Sequence, residues 1–352
     1  MSDNSYLWGF LSTSDDILIV DSFTKADSVI NNPKYKTILC SISGGSDSDV
    51  MLDLITKVDR AKKVKYIWFD TGLEYQATKD HLLFLEAKYA VNIERERAIK
   101  PIPLSCKEYG QPFLSKFASE QISRLQSHGF KWEDRSFEEL LEEYPKCKSA
   151  VKWWTNQYTK ENGFERPSHF DIGYNKYLKS FIMHNPPTFK ISSKCCKYAK
   201  KGVGKHLAKK YNADLQLIGV RRAEGGIRAT AYSNCFTASE DSYDNYRPVF
   251  WYTDDTKKEY EEKFGVTHSR CYTEYGFRRT GYACCPYGNK NLDHELRVVE
   301  KYEPKLYKAV NNIFKDSYEY TREYRKFCEM MKAKEDKKQI DGQMSIADFL
   351  GA

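Results

Sequence analysis

The chain has 352 residues with 41% hydrophobic and 14% aromatic content, which suffices for a large domain plus a sizeable insertion or second lobe. No apolar run approaches the length of a membrane span, so a membrane protein is not expected. The formal net charge of +7 suits an anionic substrate and permits nucleic acid without requiring it. The polar N-terminus lacks a secretory signal pattern, and we expect a reducing, cytoplasmic location.

The first motif lies where a buried strand is predicted to end and a helix to begin. Residues 37–42 have the character of a short strand, and residues 49–58 have the apolar spacing of a helix face. A glycine-rich turn at such a point offers backbone N–H groups and a positive dipole end to an anion. We therefore predict a phosphate-binding loop, with a plain glycine-rich turn as the alternative. The loop residues are Ser43, Gly44, Gly45, Ser46, Asp47 and Ser48.

A second polar motif follows the next predicted strand, at residues 64–69. A strand-helix-strand unit brings both loops to one carboxyl edge of a parallel sheet, where open α/β folds bind ligands. The two loops are therefore predicted to face one nucleotide. The motif residues are Asp70, Thr71, Gly72, Leu73, Glu74 and Tyr75.

Both motifs resemble those of a known family. The first fits neither the Walker loop nor the dinucleotide-binding glycine pattern. Ser-Gly-Gly-x-Asp-Ser is instead similar to the pyrophosphate loop of N-type ATP pyrophosphatases and sulfonucleotide reductases, and Asp-Thr-Gly-x-Glu-Tyr resembles the second motif of the phosphoadenosine phosphosulfate (PAPS) reductase family. The resemblance implies a doubly wound parallel α/β sheet of the adenine nucleotide alpha hydrolase type. It also implies that residues 43–48 hold the phosphates of ATP or PAPS, that Asp47 orients Mg²⁺, and that Asp70, Thr71, Gly72 and Glu74 line the adenosine side.

A basic loop after a strand at 215–219 extends the resemblance. It implies that arginines reach phosphate or sulfate oxygens, a task for which the planar guanidinium fork is suited. A solvated charged loop is the alternative. The loop residues are Arg221, Arg222, Glu224 and Arg228, and the candidate catalytic residues are Asp47, Arg221 and Arg228. Further along, Asp254 and Asp255 are expected to be N-terminal charges of a helix.

Cysteine is the second chemical theme, since five of the ten cysteines fall in three short segments. The spacing resembles the four-thiolate iron–sulfur site of cluster-bearing members of the family. Tyr282 stands where the usual pattern has a cysteine. A [4Fe–4S] cluster, a zinc site and unligated thiols therefore remain three open interpretations. The five cysteines are Cys195, Cys196, Cys271, Cys284 and Cys285.

The predicted domains follow from strands near 37–42, 64–69, 90–95 and 215–219 that alternate with helical patterns. After an N-terminal segment at 1–30, the nucleotide-binding domain takes 31–100 and 191–290. A helical insertion spans 101–190, helices fill 291–338 with a helix start at Pro304, and a flexible tail covers 339–352. In the insertion, aromatic residues such as Trp153, Trp154, Tyr174 and Phe181 are expected in the core more than in base stacking.

The tail contains a short apolar motif from Gln343 to Leu350. Gln-x-x-Ile-x-x-Phe-Leu resembles a sliding-clamp-binding peptide, which inserts apolar anchors into a groove. A terminal helix that folds back on its own domain is an equal interpretation.

Function is predicted from the presence of the loops and the absence of the terminal Glu-Cys-Gly-x-His segment of PAPS reductases. The resemblance favours an ATP pyrophosphatase that adenylates a substrate for sulfur transfer, like the enzyme of DNA phosphorothioation. The implied partners are a sulfur donor protein and a DNA or tRNA acceptor. One alternative is a sulfonucleotide reductase or sulfotransferase whose thiol comes from Cys284 or Cys285. The other is a DNA-associated accessory or defence protein with a nucleotide-sensing site.

Overall fold

The computed structural model describes residues 9, 16–225, 232–239, 242–287 and 291–341, with side chains described as far as residue 336. The chain divides into two compact units. The first comprises residues 1–102, 196–284 and 293–307, and the second comprises residues 103–195, 285–292 and 308–352. The finer division into an insertion, separate C-terminal helices and a tail stays a prediction.

The first unit contains a mostly parallel sheet. Its strands in the described residues are β1 (Ile38–Ile42), β2 (Val64–Asp70), β3 (Ile93–Arg97), β4 (Leu215–Ile218), β5 (Phe236–Thr237) and β6 (Asp244–Tyr246). Their order across the sheet is β3-β2-β1-β4-β6-β5, and only the β5–β6 pair is antiparallel. The expected doubly wound parallel sheet is therefore confirmed. The two short strands, β5 and β6, were not predicted from the sequence.

Helices account for most of the remaining described residues. Several begin as the sequence indicates: α15 starts at Pro304, and Ser136 and Glu139 form a capping box at the start of α6. In chain order they are α1 (Ile17–Ile30), α2 (Ser46–Val58), α3 (Gln76–Tyr89), α4 (Ile102–Tyr109), α5 (Lys116–Ser127), α6 (Phe137–Glu143), α7 (Lys148–Trp154), α8 (Gln157–Asn162), α9 (Leu178–His184), α10 (Lys194–Cys196), α11 (Gly202–Lys210), α12 (Asp254–Phe264), α13 (Arg270–Thr273), α14 (Leu292–Tyr302), α15 (Pro304–Ile313) and α16 (Lys315–Asp341).

The core of the first unit lies between the sheet and the helices that pack on it. Apolar residues of β1, β2 and β4 meet those of α1, α2 and α12 there. Helix α2 is buried along most of its length, because the sheet covers one side and α1 and α12 cover others. The loop at the start of α2 is thus held on a rigid element.

The second unit has a core of its own that is rich in aromatic rings. Trp153, Trp154 and Phe181 are almost fully buried in it, as expected of core residues, whereas Tyr174 is 59% exposed. Among the helices of the described residues, none combines the length and the apolar character that a membrane crossing needs. The clamp-like motif between Gln343 and Leu350 lies outside the described residues.

Candidate functional site

The sequence motifs of the first unit meet at the carboxyl edge of the parallel sheet. Strand β1 runs into the loop at residues 43–48, β2 into residues 70–75 and β4 into residues 219–224. The register pairs Ile42 with Trp68 and Ser41 with Ile218, so the three loops leave the sheet at neighbouring positions. This edge is where open α/β sheets bind their ligands.

The backbone of the first loop approaches its neighbours closely at two glycines. Gly44 has a φ of +68°, and a Cβ atom there would lie 2.8 Å from Cγ2 of Thr78 on α3. Gly45 precedes α2 in an extended conformation and makes no side-chain cap. A Cβ atom on Gly45 would lie 3.2 Å from Oγ1 of Thr280. The loop therefore requires glycine at position 44, where φ is positive and a side chain would meet Thr78.

Hydroxyl groups surround this loop. The Ser43 hydroxyl donates to Oγ of Ser48 at 3.1 Å, which closes the loop on itself. The backbone N–H of Ser46 donates to the Tyr272 hydroxyl at 3.1 Å, and that hydroxyl lies 3.0 Å from Oγ1 of Thr280. Tyr272 and Thr280 thus lie directly over the start of α2, although they are more than 220 residues away in sequence. Hydroxyls in such positions can donate to phosphate oxygens.

Asp47 is the centre of a charged cluster on the first turn of α2. Its Oδ1 lies 2.8 Å from Nε of Arg221 and 3.4 Å from Nζ of Lys257. Burial alone would raise the pKa of Asp47. The hydrogen bond with the Glu224 side chain and the charges of Arg221 and Lys257 outweigh burial, so the pKa lies below its usual value. Asp47 is therefore ionised at neutral pH.

Arg221 is held almost entirely by protein groups. Besides Asp47, its guanidinium donates to Oδ1 of Asp254 at 2.9 Å and to the Thr253 carbonyl at 3.1 Å. Only 9% of its side chain is exposed. Asp254 is thus an N-terminal charge of α12, as expected, and also a partner of Arg221. In this arrangement Arg221 positions Asp47 more directly than it reaches a ligand.

Lys257 is a second cation at the loop, beside Arg221. Its Nζ donates to Oγ of Ser46 at 2.7 Å, and its side chain is only 14% exposed. Glu261, one turn later on α12, lies 3.2 Å from the same nitrogen. Sequence reasoning missed Lys257, because α12 reaches the loop only through the tertiary fold. Its position four residues before Glu261 indicated no more than an exposed helical ion pair.

A histidine connects this lysine to the buried side of α2. His268 lies 2.8 Å from Oε1 of Glu261 and 2.9 Å from Oδ2 of Asp49, an oxygen that His81 also contacts at 3.0 Å. Burial would lower the pKa of His268, but its hydrogen bonds to Asp49 and Glu261 outweigh burial and raise it to about 9. A protonated His268 therefore ties α12 and α2 together beneath the loop.

The second loop is organised by its own two carboxyl groups. Asp70 accepts the backbone N–H of Gly72 at 2.9 Å and pairs with Arg95. Burial alone would raise the pKa of Asp70, but these contacts outweigh burial and keep the pKa below its usual value. Glu74 accepts the Thr71 hydroxyl at 2.5 Å. Burial raises the pKa of Glu74 to about 7, against the opposing charge of Lys200 and the hydrogen bonds from Thr71. Gly72 has a φ of +81° and packs against Pro101.

The other residues of the predicted basic loop differ in where the structure places them. Arg222 is exposed and lies over the ring of Trp251 at 5.5 Å. Arg228 lies outside the described residues. Glu224 contacts Asp47, and its carbonyl accepts from Arg279 at 2.9 Å. The catalytic and binding roles given to all these residues stay predictions.

The iron–sulfur cluster predicted at the five cysteines stays a prediction. In the part of the chain that the structure describes, no group of three or more His, Cys, Asp or Glu side chains is arranged to hold a metal ion. Cys195, Cys271 and Cys284 are fully buried, and Cys271 lies 3.7 Å from the Thr78 hydroxyl. Iron and sulfide analysis of anaerobically prepared protein would test the [4Fe–4S] prediction.

Comparison with known proteins identifies the part of the chain that carries the loops. Residues 37–127 match the family model of the phosphoadenosine phosphosulfate reductase domain. This match includes both motifs at the carboxyl edge and confirms the resemblance drawn from them. None of the curated proteins matches the chain.

Solved structures give weaker likenesses. Phosphoadenylyl-sulfate reductase from Candida auris is 14% identical, with a TM-score of 0.37 over 76% of this chain and 95% of that chain. The U34-tRNA thiolase NcsA from Methanococcus maripaludis, solved with its [4Fe-4S] cluster, is 12% identical, with a TM-score of 0.37 over 89% of this chain and 79% of that chain. The NH3-dependent NAD synthetase from Campylobacter jejuni is 10% identical, with a TM-score of 0.34 over 86% and 94%. Likenesses at this level do not assign chemistry to the chain.

Proposed function

We propose that the chain binds ATP at its first loop and adenylates an acceptor for sulfur transfer, a proposal supported by the match of residues 37–127 to the phosphoadenosine phosphosulfate reductase domain. One observation carries this proposal. The N-terminus of α2, with a glycine in place of a side-chain cap, is surrounded by the Lys257 ammonium and by the Tyr272 and Thr280 hydroxyls. Backbone N–H groups, a cation and hydroxyls together form a suitable cradle for a pyrophosphate group.

The proposed reaction is a nucleotidyl transfer. An acceptor oxygen attacks the α-phosphorus of ATP, the bond from that phosphorus to the bridging oxygen breaks, and pyrophosphate leaves with the bonding electrons. Lys257 and the α2 N-terminus stabilise the charge that develops on the leaving group. A sulfur nucleophile then attacks the adenylated position of the acceptor, and AMP leaves. The loops act by positioning the reactants and need no covalent intermediate of their own.

A divalent cation fits the proposal at the Asp47 carboxylate. Mg²⁺ is usually bound by one or two carboxylates together with substrate phosphates, and the side chains of Asp47 and Glu224 are in contact at the loop. These two residues would hold the ion. When bound, Mg²⁺ neutralises phosphate charge and polarises phosphorus–oxygen bonds. Arg221 supports the site through its ion pair with Asp47.

Reduction of a sulfonucleotide is less well supported by the described cysteines. Such chemistry needs an exposed sulfur with a lowered pKa. Burial instead raises the pKa of Cys271, and Cys284 has no exposed surface. Cys285, which is half-buried, is the better candidate thiol for that alternative.

The deciding experiment measures pyrophosphate release from ATP and sulfite release from PAPS side by side, with nucleic-acid acceptors and a thioredoxin-type reductant supplied. We expect ATP-dependent pyrophosphate to exceed sulfite. Sulfite without pyrophosphate would favour the reductase, and tight ATP binding without turnover would favour the nucleotide sensor.

A comparison of Lys257→Gln with its matched control, Lys258→Gln, tests whether the reaction takes place at the loop of residues 43–48. Lys258 is the next residue on α12, but 75% of its side chain is exposed. A charge-assisted hydrogen bond contributes about 1.5 to 3 kcal/mol, so losing it at Lys257 should lower kcat/KM for ATP by about 10- to 100-fold. The Lys258 variant should match the wild type. Equal rates in all three proteins would rule out the loop as the pyrophosphate site.

A further inference from the structure

One segment of the first unit, outside the proposed nucleotide site, is strongly basic. Lysines recur at every fourth position through Lys197, Lys201, Lys205 and Lys209, and Lys200, His206 and Lys210 lie among them. No Asp or Glu occurs between residues 197 and 213. We call the four lysines with four-residue spacing the basic stripe.

The chain is helical throughout the stripe, so its lysines lie along one side of a single rod. Residues Lys197–Lys201 form a π-helical turn that leads directly into α11. Ala199, Val203 and Leu207 are buried on the other side, whereas all four stripe lysines are exposed. At about 1.5 Å per helical residue, twelve residues span about 18 Å.

The stripe lysines have no acidic partner among the residues that the structure describes. In the described part of the chain, none of the four stripe lysines forms an ion pair. Their neighbour Lys210, in contrast, pairs with Glu96 at 2.5 Å. Like charges four residues apart on a helix repel one another and destabilise it. A helix that keeps such repulsion along one face is suited to an anionic partner.

A groove of about 1050 Å³ continues the stripe at the amino edge of the sheet, where Lys34, Lys205, His206 and Lys209 line it. Two carboxylates also line the groove, but both are already satisfied. Asp214 accepts the backbone N–H groups of Lys36 and Thr37 at 2.8 and 2.9 Å. Asp244 accepts from Lys34 at 2.8 Å and from the Tyr35 hydroxyl at 2.6 Å. Lys34 is thus paired with Asp244, and Lys205 and Lys209 are the lysines that the groove offers to an anion in the described part of the chain.

The other end of the stripe approaches the nucleotide loops. Lys200 lies 5.8 Å from the ring of Tyr282, and its charge acts on Glu74 in the second loop. The helix thus runs from the carboxyl edge of the sheet, where the loops lie, to the groove at the amino edge.

We propose that the basic stripe and its groove bind the sugar–phosphate backbone of a nucleic acid. An extended row of evenly spaced cations fits a polyanion whose charges repeat along a line, whereas a single phosphate requires converging donors. The contacts are to phosphate, so binding is independent of base sequence. The surface goes beyond the proposed function, since it binds without ATP, and it would lead an acceptor strand towards the loops.

The test is binding of a fluorescein-labelled 20-nucleotide single strand to the full chain, without ATP, between 50 and 200 mM salt. The triple variant Lys201→Gln, Lys205→Gln, Lys209→Gln should bind at least tenfold more weakly. The slope of log K against log salt should fall by about 2, at about 0.7 per lost phosphate contact on a single strand. A control of equal charge, Lys146→Gln, Lys160→Gln, Lys332→Gln, removes exposed lysines elsewhere and should keep affinity and slope.

Thermal melting checks the fold of the variants, and the triple variant should melt no lower than the wild type because a like-charge row is relieved. Should it fail to fold, Lys205→Gln alone must still lower the slope by about 0.7. DNA and RNA strands of one length show which backbone is preferred. The proposal is overturned if the stripe variants keep the wild-type slope. It is also overturned if the wild type binds vesicles containing an anionic phospholipid but no oligonucleotide.

Discussion

Glu74 shows how burial alone can make a carboxyl group sensitive to pH. Its pKa is raised to about 7, so the folded protein holds a proton on Glu74 that the unfolded chain releases near pH 4.5. The folded state thus binds more protons between these values, and stability falls as pH rises from about 4.5 to about 7. At 1.36 kcal/mol per pKa unit, the loss approaches about 3 kcal/mol above pH 7.

Glu74→Gln should remove that dependence while keeping the contact with the Thr71 hydroxyl. The measurement is urea unfolding at pH 5 and pH 8.5. We expect the variant to be more stable than the wild type at pH 8.5 and close to it at pH 5. Glu165→Gln, at an exposed position, should follow the wild type at both values. A wild-type advantage at pH 8.5 would show that ionised Glu74 is stabilised in the fold.

At the scale of elements, the end of β4 packs closely against the start of α2 at Gly219. A Cβ atom at this position would lie 3.0 Å from Cα of Ser48 and 3.1 Å from the Asp47 carbonyl oxygen. Both contacts are with backbone, which cannot move aside as a flexible side chain can. Gly219→Ala should therefore push α2 away from β4, displace the loop, lower stability by about 1 to 3 kcal/mol and weaken ATP binding.

Gly204→Ala is the matched control, because a Cβ atom there would meet nothing closer than 3.4 Å and the residue lies within α11. Alanine in a helix should leave stability unchanged or raise it by about 1 kcal/mol. Calorimetric titration measures ATP binding, and thermal melting measures stability. If Gly219→Ala binds ATP as the wild type does, the loop tolerates the shift, and contact with β4 does not set its position.

The elements that sequence patterns predict best are the long ones with a clear period. β1, β2 and the helices α2 and α3 follow from apolar spacing, and Asp254 and Pro304 mark helix starts. β5 and β6 have two and three residues, too few for an alternating pattern, and they exist because β4 offers a free edge. Local sequence patterns predict the loops themselves, but they do not predict which distant residues contact those loops in the folded protein.

The site illustrates the same limit at the level of contacts. Lys257, Tyr272 and Thr280 reach residues 43–48 from more than 200 positions away, and each resembles an ordinary surface or core residue in its own segment. The sequence singled out Arg221 from its loop, but it did not indicate that Asp254 at the start of α12 would be a partner of Arg221. The cysteine prediction depended on sequence spacing alone, which does not determine whether thiol groups lie close together in the fold.

At the scale of the whole molecule, the two compact units have cores built from separate residues. The first core contains residues from Ile19 to Ile93 and from Leu215 to Val266, and the second contains residues such as Phe113, Trp153 and Tyr320. Both candidate surfaces, the loop at residues 43–48 and the basic stripe, belong to the first unit. A ligand that binds only there should stabilise that unit in particular.

Hydrogen exchange with and without a non-hydrolysable ATP analogue tests this expectation. At about 100 times its Kd, the analogue adds about 2.7 kcal/mol to the unit that binds it, which slows exchange through unfolding of that unit by about 100-fold. The slowest amides of β1, β2 and β4 should show this change, and those of α5 and α7 should exchange as before. Equal slowing in α5 and α7 would mean that the two units unfold as one. No slowing in β1 would mean that the nucleotide does not bind at the end of that strand.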